Sequence, residues 1–383
     1  MTDNKLFLYL LCLIFVFAVV LCGCAKPFEI TQNSAITTIK SGDFDNTFAK
    51  NNQNSTEKPK IMPDADDSPP TPGREPNKIE EILPKTQTAS KSAHKNLVSG
   101  KIVIEQSTKR VLASENEDER LYPASTTKVL TALCVLNSLP LDRVVAVPKK
   151  AAGVEGSSIY LKAGQRITVE DLLYGLMLRS GNDAAVTLAL ETSGSIEKFA
   201  NLMNKTAREC GATNSNFVNP HGLQDENHYT TARDLALITA KAYENKEFVR
   251  IVSTKTRKIK IDNEEIVVGN KNKMLKLYDG ANGVKTGFTK ASGRCLVSGA
   301  KKGNMQLISV VLNCGDMWNE SVRLLDFGFD NFEMIPLDSA LLTDGINSIE
   351  FKTDSNVDED WRNKYFPVKK DGSEKLVIVS QAF

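Results

Sequence analysis

A chain of 383 residues with 41% hydrophobic content can bury one large core or two modest ones. Its formal net charge is +1, with acids and bases intermixed and no block of like charges. That excludes the clustered basic face a nucleic-acid binder needs, and no nucleic-acid partner is expected.

The chain opens with Lys5 and an uncharged, mostly apolar run from Leu6 to Gly23, then "LCGC" and polar sequence. A basic start, an apolar middle and small residues at the end describe a secretory signal over residues 1–23. An uncleaved membrane anchor is the alternative, since the run is just long enough to span a bilayer. "LCGC" resembles a bacterial lipobox, with Leu21 and Gly23 leading to Cys24. The resemblance implies cleavage before Cys24, a diacylglycerol on its sulfur, and an exported chain held by lipid at the outer face of the cytoplasmic membrane.

Residues 24–95 read as a tether. Seven of the 14 prolines fall between Pro59 and Pro84, and no apolar periodicity survives among the Asn, Ser, Thr, Lys and Asp around them. Such a segment buries too little surface to offset chain entropy.

The catalytic domain is expected over 96–335. "LVSGKIVIEQSTKRVLASEN" reads as two strands around a turn, and "YPASTTKVLTALCVLN" as a helix over 122–137. "GSSIYLKAGQRI" is a loop and short strand. "TVEDLLYGLMLRSGNDAAVTLALE" is two helices broken at Ser180-Gly181, with Thr168 and Asp171 spaced as a helix start. Thr231 and Asp234 mark another such start in "TTARDLALITAKAY". Strands follow at "RKIKI", "EEIVVGN", "GVKTGF", "GRCLVSGAKK" and "MQLISVVLN", then a closing helix in "NESVRLLDFGFDNF". This order predicts a mixed α/β (α+β) fold with a largely antiparallel sheet, rather than the βαβ alternation of a doubly wound one. Residues 336–383 alternate weakly around Ile349, Phe351 and "KLVIV", as a short β-rich appendage would. Outside the signal, Cys134, Cys210, Cys295 and Cys314 each stand beside apolar residues, without metal-ligand spacing. They read as small buried hydrophobes, although four exported cysteines could also form two disulfides. No metal or cofactor is expected.

Ser125 and Lys128 form a Ser-x-x-Lys pair at the mouth of the 122–137 helix. The same pattern recurs at Ser55/Lys58, Ser92/Lys95, Ser195/Lys198 and Ser298/Lys301, so spacing alone decides nothing. Two features favour Ser125. Residues i and i+3 share a helical face, and "VLTALCVL" carries Lys128 into an apolar element, where burial lowers a lysine pKa and makes it a base. A histidine triad is poorly supported, because His94 lies in the tether and His221 and His228 lie in a turn-rich stretch that reads as structural. Further along, "RSGNDAA" supplies Ser180 and Asn182, and "GVKTGFT" supplies Lys285, Thr286 and Gly287, at separations of 55 and 105 residues.

Ser-x-x-Lys, Ser-x-Asn and Lys-Thr-Gly in this order resemble the penicillin-binding protein and serine β-lactamase superfamily. "YPASTTKVLTAL", "LLYGLMLRSGNDAA", "NSNFVNPHGL", "YTTARDLALI" and "GVKTGFTKASGRCLVSGAKKGNMQLISVVL" are similar, over about 97–332, to the low-molecular-mass serine-type D-alanyl-D-alanine carboxypeptidases. The resemblance implies a β-lactamase/transpeptidase-like fold, with the site between the sheet and a helical block. It implies Ser125 as nucleophile toward the penultimate D-alanine carbonyl, Lys128 as its base, and Ser180 as proton relay to the leaving D-alanine beside Lys285. Asn182 would hold the substrate amide, while Lys285, Thr286 and Thr289, with Gly287 in the same motif, would face the terminal carboxylate. The backbone N–H groups of Ser125 and Phe288 would form the oxyanion hole. Expected partners are peptidoglycan stem peptides ending in D-Ala-D-Ala, β-lactams as inhibitors, and the membrane through Cys24.

One departure stands out. Such carboxypeptidases often carry a carboxylate-binding arginine after the "ISVVL" strand, whereas here "NCGDMWNESVRLL" offers only Arg323, on the expected closing helix. Two other readings use the same motifs. A class A β-lactamase would have Ser-Asp-Asn and a further glutamate, where this chain has Ser-Gly-Asn. A non-catalytic peptidoglycan-binding lipoprotein would have no use for all three motifs.

Overall fold

The computed structural model describes residues 98–336, 348–353, 365–373 and 375–380. The signal, Cys24 and the tether lie outside them.

A five-stranded antiparallel sheet in the order β2-β1-β9-β8-β7 organises the fold. Its strands are β1 (Gly100–Glu105), β2 (Val111–Glu115), β7 (Ala281–Thr289), β8 (Gly293–Lys302) and β9 (Met305–Leu312). Every residue of β9 is buried, as a central strand covered on both faces must be. Ile308, Val310 and Leu312 join the core cluster that includes the helical block. Leu307 points the other way, to Gly328 of the closing helix α8 (Met317–Asn331), where an added Cβ would lie 2.5 Å from Leu307 Cδ1. The two-residue period of the strand thus feeds two helical layers.

The helical block holds α1 (Lys128–Leu136), α2 (Val169–Leu178), α3 (Asn182–Ser193), α4 (Ile196–Glu209), α5 (Ala232–Ala242) and α6 (Lys246–Ser253). Thr168 caps α2 by accepting from Asp171 N, and Thr231 caps α5 by accepting from Asp234 N, as the spacing predicts. Helices α4 and α6 were not anticipated from the sequence. Helix α4 buries Phe199, Ala200, Met203, Thr206 and Ala207 on one stripe, and Ser195 caps it by accepting from Lys198 N at 3.1 Å. The Ser195/Lys198 pair is therefore a helix cap. Ser298 and Lys301 sit on a strand, where a spacing of three sends side chains to opposite faces.

A second sheet, β3-β4-β5-β6, joins β3 (Val144–Ala146), β4 (Arg166–Thr168), β5 (Thr256–Ile261) and β6 (Glu264–Gly269). A short helix, α7 (Met274–Leu277), follows β6. At the C-terminal end, β10 (Phe332–Pro336) pairs antiparallel with β12 (Tyr365–Lys369), and β11 (Ser348–Thr353) pairs parallel with β13 (Lys375–Ser380). The β10–β12 pair is tied to the main body, since Arg110 donates to the Pro367 carbonyl and stacks between Phe332 and Phe366. Cys134, Cys210, Cys295 and Cys314 are buried free thiols. Among the described residues, no helix is long and apolar enough to cross a membrane.

Candidate active site

Ser125 stands one step earlier in the fold than a continuous 122–137 helix implies. Residues Ala124–Thr127 form a 3-10 turn, and the α-helix begins at Lys128. Ala124 enters the turn with a left-handed backbone, φ 47. The apolar run "VLTALCVL" then drives α1 into the core, and Lys128, at its first position, is fully buried with it.

The break between α2 and α3 brings the second motif alongside. Ser180 also has a left-handed backbone, φ 65, and is buried. It hands over to Asn182, the first residue of α3. Asn182 N donates to the Ser157 carbonyl at 2.7 Å, and its Nδ2 donates to the Glu155 carbonyl at 2.5 Å. That second bond fixes the amide orientation and leaves Oδ1 facing Lys128.

Lys128 Nζ lies 3.0 Å from Ser125 Oγ, 2.7 Å from Asn182 Oδ1 and 2.8 Å from the His221 carbonyl. The last two are pure acceptors. A neutral amine has two N–H groups and one lone pair. The two carbonyl oxygens occupy both N–H groups, so the lone pair is left for the Ser125 hydroxyl. The neutral form is favoured by the surroundings. Burial pulls the Lys128 pKa well below that of an ordinary lysine; the charges of Lys285 and Lys271 pull the same way, against Asp183. Lys285 is buried too and is held at about 7, by burial first and by Lys271 second.

Strand β7 is an edge strand of the main sheet and lies directly on the 3-10 turn. A Cβ on Gly287 would sit 3.0 Å from Ser125 N and 3.1 Å from both Pro123 O and Thr126 N. A Cβ there would push the turn away by a few tenths of an ångström, so glycine lets the strand lie this close to Ser125. Lys285 Nζ donates to the Thr286 carbonyl at 2.9 Å, and Thr286 is half-buried beside it. Phe288 is 62% exposed, with the Arg294 guanidinium 5.8 Å from its ring centroid. Thr289 closes the β7–β8 hairpin: its Oγ1 lies 2.9 Å from Ser292 Oγ and accepts from Ser292 N at 3.0 Å. Its hydroxyl is thus engaged by the turn rather than by the Lys128 cluster. Arg323 lies on α8 and pairs with Glu320.

Several participants have no local signal in the sequence. The His221 carbonyl reaches Lys128 because Gly222, at φ +86, turns the chain back onto Ala124. His228 donates from Nε2 to Thr127 Oγ1 at 2.8 Å, a tautomer dictated by Val218 N donating to Nδ1 at 3.1 Å. Burial holds its pKa at about 4 and that of His221 at about 3, so both rings are neutral. Lys271 emerges from a polar stretch; Lys271 N donates to the Leu178 carbonyl, and Nζ lies 3.5 Å from Ser157 Oγ.

This geometry has close relatives. Residues 86–315 match the family described as Peptidase_S11, D-alanyl-D-alanine carboxypeptidase. The chain is 36% identical over 245 residues to D-alanyl-D-alanine carboxypeptidase DacF of Bacillus subtilis, covering 62% of this chain and 63% of that protein. It is 37% identical over 250 residues to DacC of Escherichia coli, covering 61% and 62%. The chain therefore spans somewhat less than two thirds of the length of these relatives. Among solved structures, the Streptomyces K15 DD-transpeptidase superposes with a TM-score of 0.58 at 31% identity, covering 60% of this chain and 96% of that one. A D-alanyl-D-alanine carboxypeptidase from Mycobacterium tuberculosis gives a TM-score of 0.58 at 32% identity, covering 60% and 90%. With more than half of its length matched, the chain belongs to the peptidase S11 family of D-alanyl-D-alanine carboxypeptidases.

Proposed function

We propose that this protein is a serine-type D-alanyl-D-alanine carboxypeptidase that trims the terminal D-alanine from peptidoglycan stem peptides through an acyl-enzyme on Ser125. The observation that carries the reading is the 3.0 Å approach of the buried Lys128 Nζ to Ser125 Oγ, with Asn182 Oδ1 and the His221 carbonyl as its other two partners. In the proposed cycle Lys128 accepts the Ser125 proton as Oγ attacks the penultimate D-alanine carbonyl. The N–H groups of Ser125 and Phe288 receive the developing oxyanion; losing one such donor typically lowers the rate by about 10²–10³. Ser180, with Lys285, passes a proton to the leaving amine, and Asn182 holds the substrate amide. Lys285 and Thr286 face the terminal carboxylate, and water releases the acyl group. β-Lactams enter the same path, but their leaving group stays tethered and the adduct is released slowly.

The test is mass-spectrometric mapping of the penicillin adduct together with D-alanine release from diacetyl-Lys-D-Ala-D-Ala. Ser125→Ala abolishes both, and Ser298→Ala changes neither. An adduct on another serine overturns the assignment, and rapid turnover of penicillin favours a β-lactamase.

We also propose lipid anchoring through Cys24 outside the cytoplasm, supported by "LCGC" after the apolar run and by the polar tether that follows. Cys24→Ala blocks incorporation of labelled lipid; unchanged incorporation sinks the proposal.

A further inference from the structure

Tyr160, between β3 and β4, is 83% exposed and has a left-handed backbone, φ 63. Aromatic residues rarely adopt that conformation, which glycine or asparagine takes with less strain. Its neighbours Ile159 and Leu161 are both buried. The Asp183 carboxylate holds the segment in place. It accepts from Ile159 N at 3.2 Å, Leu161 N at 2.9 Å and the Ser158 hydroxyl at 2.6 Å. Ser158 Oγ in turn accepts from Tyr160 N at 2.8 Å. Asp183 follows Asn182, which binds Lys128 and the carbonyls of Glu155 and Ser157. Gly156 packs so closely there that a Cβ would lie 2.8 Å from Asn182 Nδ2. The 155–161 segment is thereby fixed to the wall of the site that carries Asn182, and the residue it strains is an aromatic that covers little of the protein itself.

Backbone strain of this kind persists where the surroundings over-determine it, and it gathers at ligand clamps. An aromatic face suits an aliphatic stem or a second ring. We propose that Tyr160 is a specificity-determining residue that packs against the acyl-donor side chain of the substrate, on the N-terminal side of the scissile bond. The inference rests on the proposed function, in which Asn182 holds the amide of that same acyl portion.

Benzylpenicillin and 6-aminopenicillanic acid separate the two claims. They share the reactive ring, and only the first carries an aromatic acyl side chain. Second-order acylation rates are measured for the full chain and for Tyr160→Asn and Tyr160→Phe. Asparagine tolerates the left-handed backbone, and an unchanged thermal midpoint checks the fold. Tyr160→Asn is expected to slow acylation by benzylpenicillin about tenfold, near the upper range for one aromatic contact. Acylation by 6-aminopenicillanic acid is expected to stay at the parent rate, and Tyr160→Phe to behave as the parent with both. Equal losses with the two compounds, or no loss with either, overturn the role of Tyr160. Failure of the parent chain to be acylated by either compound overturns the catalytic reading and this inference with it.

Discussion

Gly222→Ala is expected to damage the site from a position that touches no substrate. Gly222 has φ +86, and a Cβ there would lie 1.7 Å from Ala124 O, 2.3 Å from Ala124 C and 2.8 Å from Thr127 Oγ1. Ordinary non-bonded contact needs about 3.5 Å, so the two segments must part by roughly 2 Å. Ala124 precedes Ser125, and the residue before Gly222 supplies the carbonyl that holds Lys128. Parting these segments breaks the 3.0 Å Ser125–Lys128 approach. A misplacement of about 1 Å can already lower a rate 10²-fold, so acylation by penicillin should fall by at least that factor. Left-handed strain on alanine adds about 1–2 kcal/mol and overpacking about 1–3, for a loss of stability of about 2–5 kcal/mol. Urea unfolding and stopped-flow acylation read the two effects. Gly194→Ala is the control: Gly194 has φ +77 but nothing within 4 Å of the added Cβ. It should lose only about 1 kcal/mol and acylate normally. A Gly222→Ala chain with parental unfolding and acylation would refute the packing argument.

Lys271→Gln removes a charge that depresses both buried lysines, so both the acidic limb of the acylation profile set by Lys128 and the basic limb set by Lys285 should move to higher pH; limbs that stay put remove Lys271 from the site's electrostatics. Lys285 is held at about 7 when folded against 10.5 as an ordinary lysine. Between those values the unfolded chain binds more protons, so stability rises with pH across the window and is lost as pH falls through about 7. Lys285→Met should flatten that dependence in urea titrations. His228→Ala leaves Thr127 Oγ1 and Val218 N without their partner and should lower stability by about 2 kcal/mol. Its acylation profile should keep the parental shape, because an imidazole held at about 4 is not the base. Loss of a limb near neutral pH in that variant would restore histidine to the mechanism.

Legibility in the sequence followed the range of the interactions. The caps at Thr168 and Thr231, the break at Ser180-Gly181, and the apolar run that carries Lys128 inward all depend on neighbours within a few residues. They were readable for that reason. Helix α4 shows the limit. Ser195 has a cap's spacing, yet the same four residues also satisfy the catalytic pattern, and only the 3.1 Å bond to Lys198 N separates the readings. The motif residues Ser125, Lys128, Asn182 and Lys285 could be named from spacing and resemblance. Their spacing could not tell how the protons are arranged among them.

That arrangement belongs to the tertiary structure. The partners of Lys128 come from positions 54 and 93 residues away in the chain, and one of them is a backbone carbonyl that any residue could provide. A carbonyl leaves no mark in a sequence. Neither does the field of Lys271, which reaches both buried lysines only because Lys271 N is bonded to the end of α2. Residue types and local periodicity determined which side chains could do chemistry. How far the Lys128 pKa falls, and which serine its Nζ approaches, was decided by burial and by acceptors brought together from distant segments.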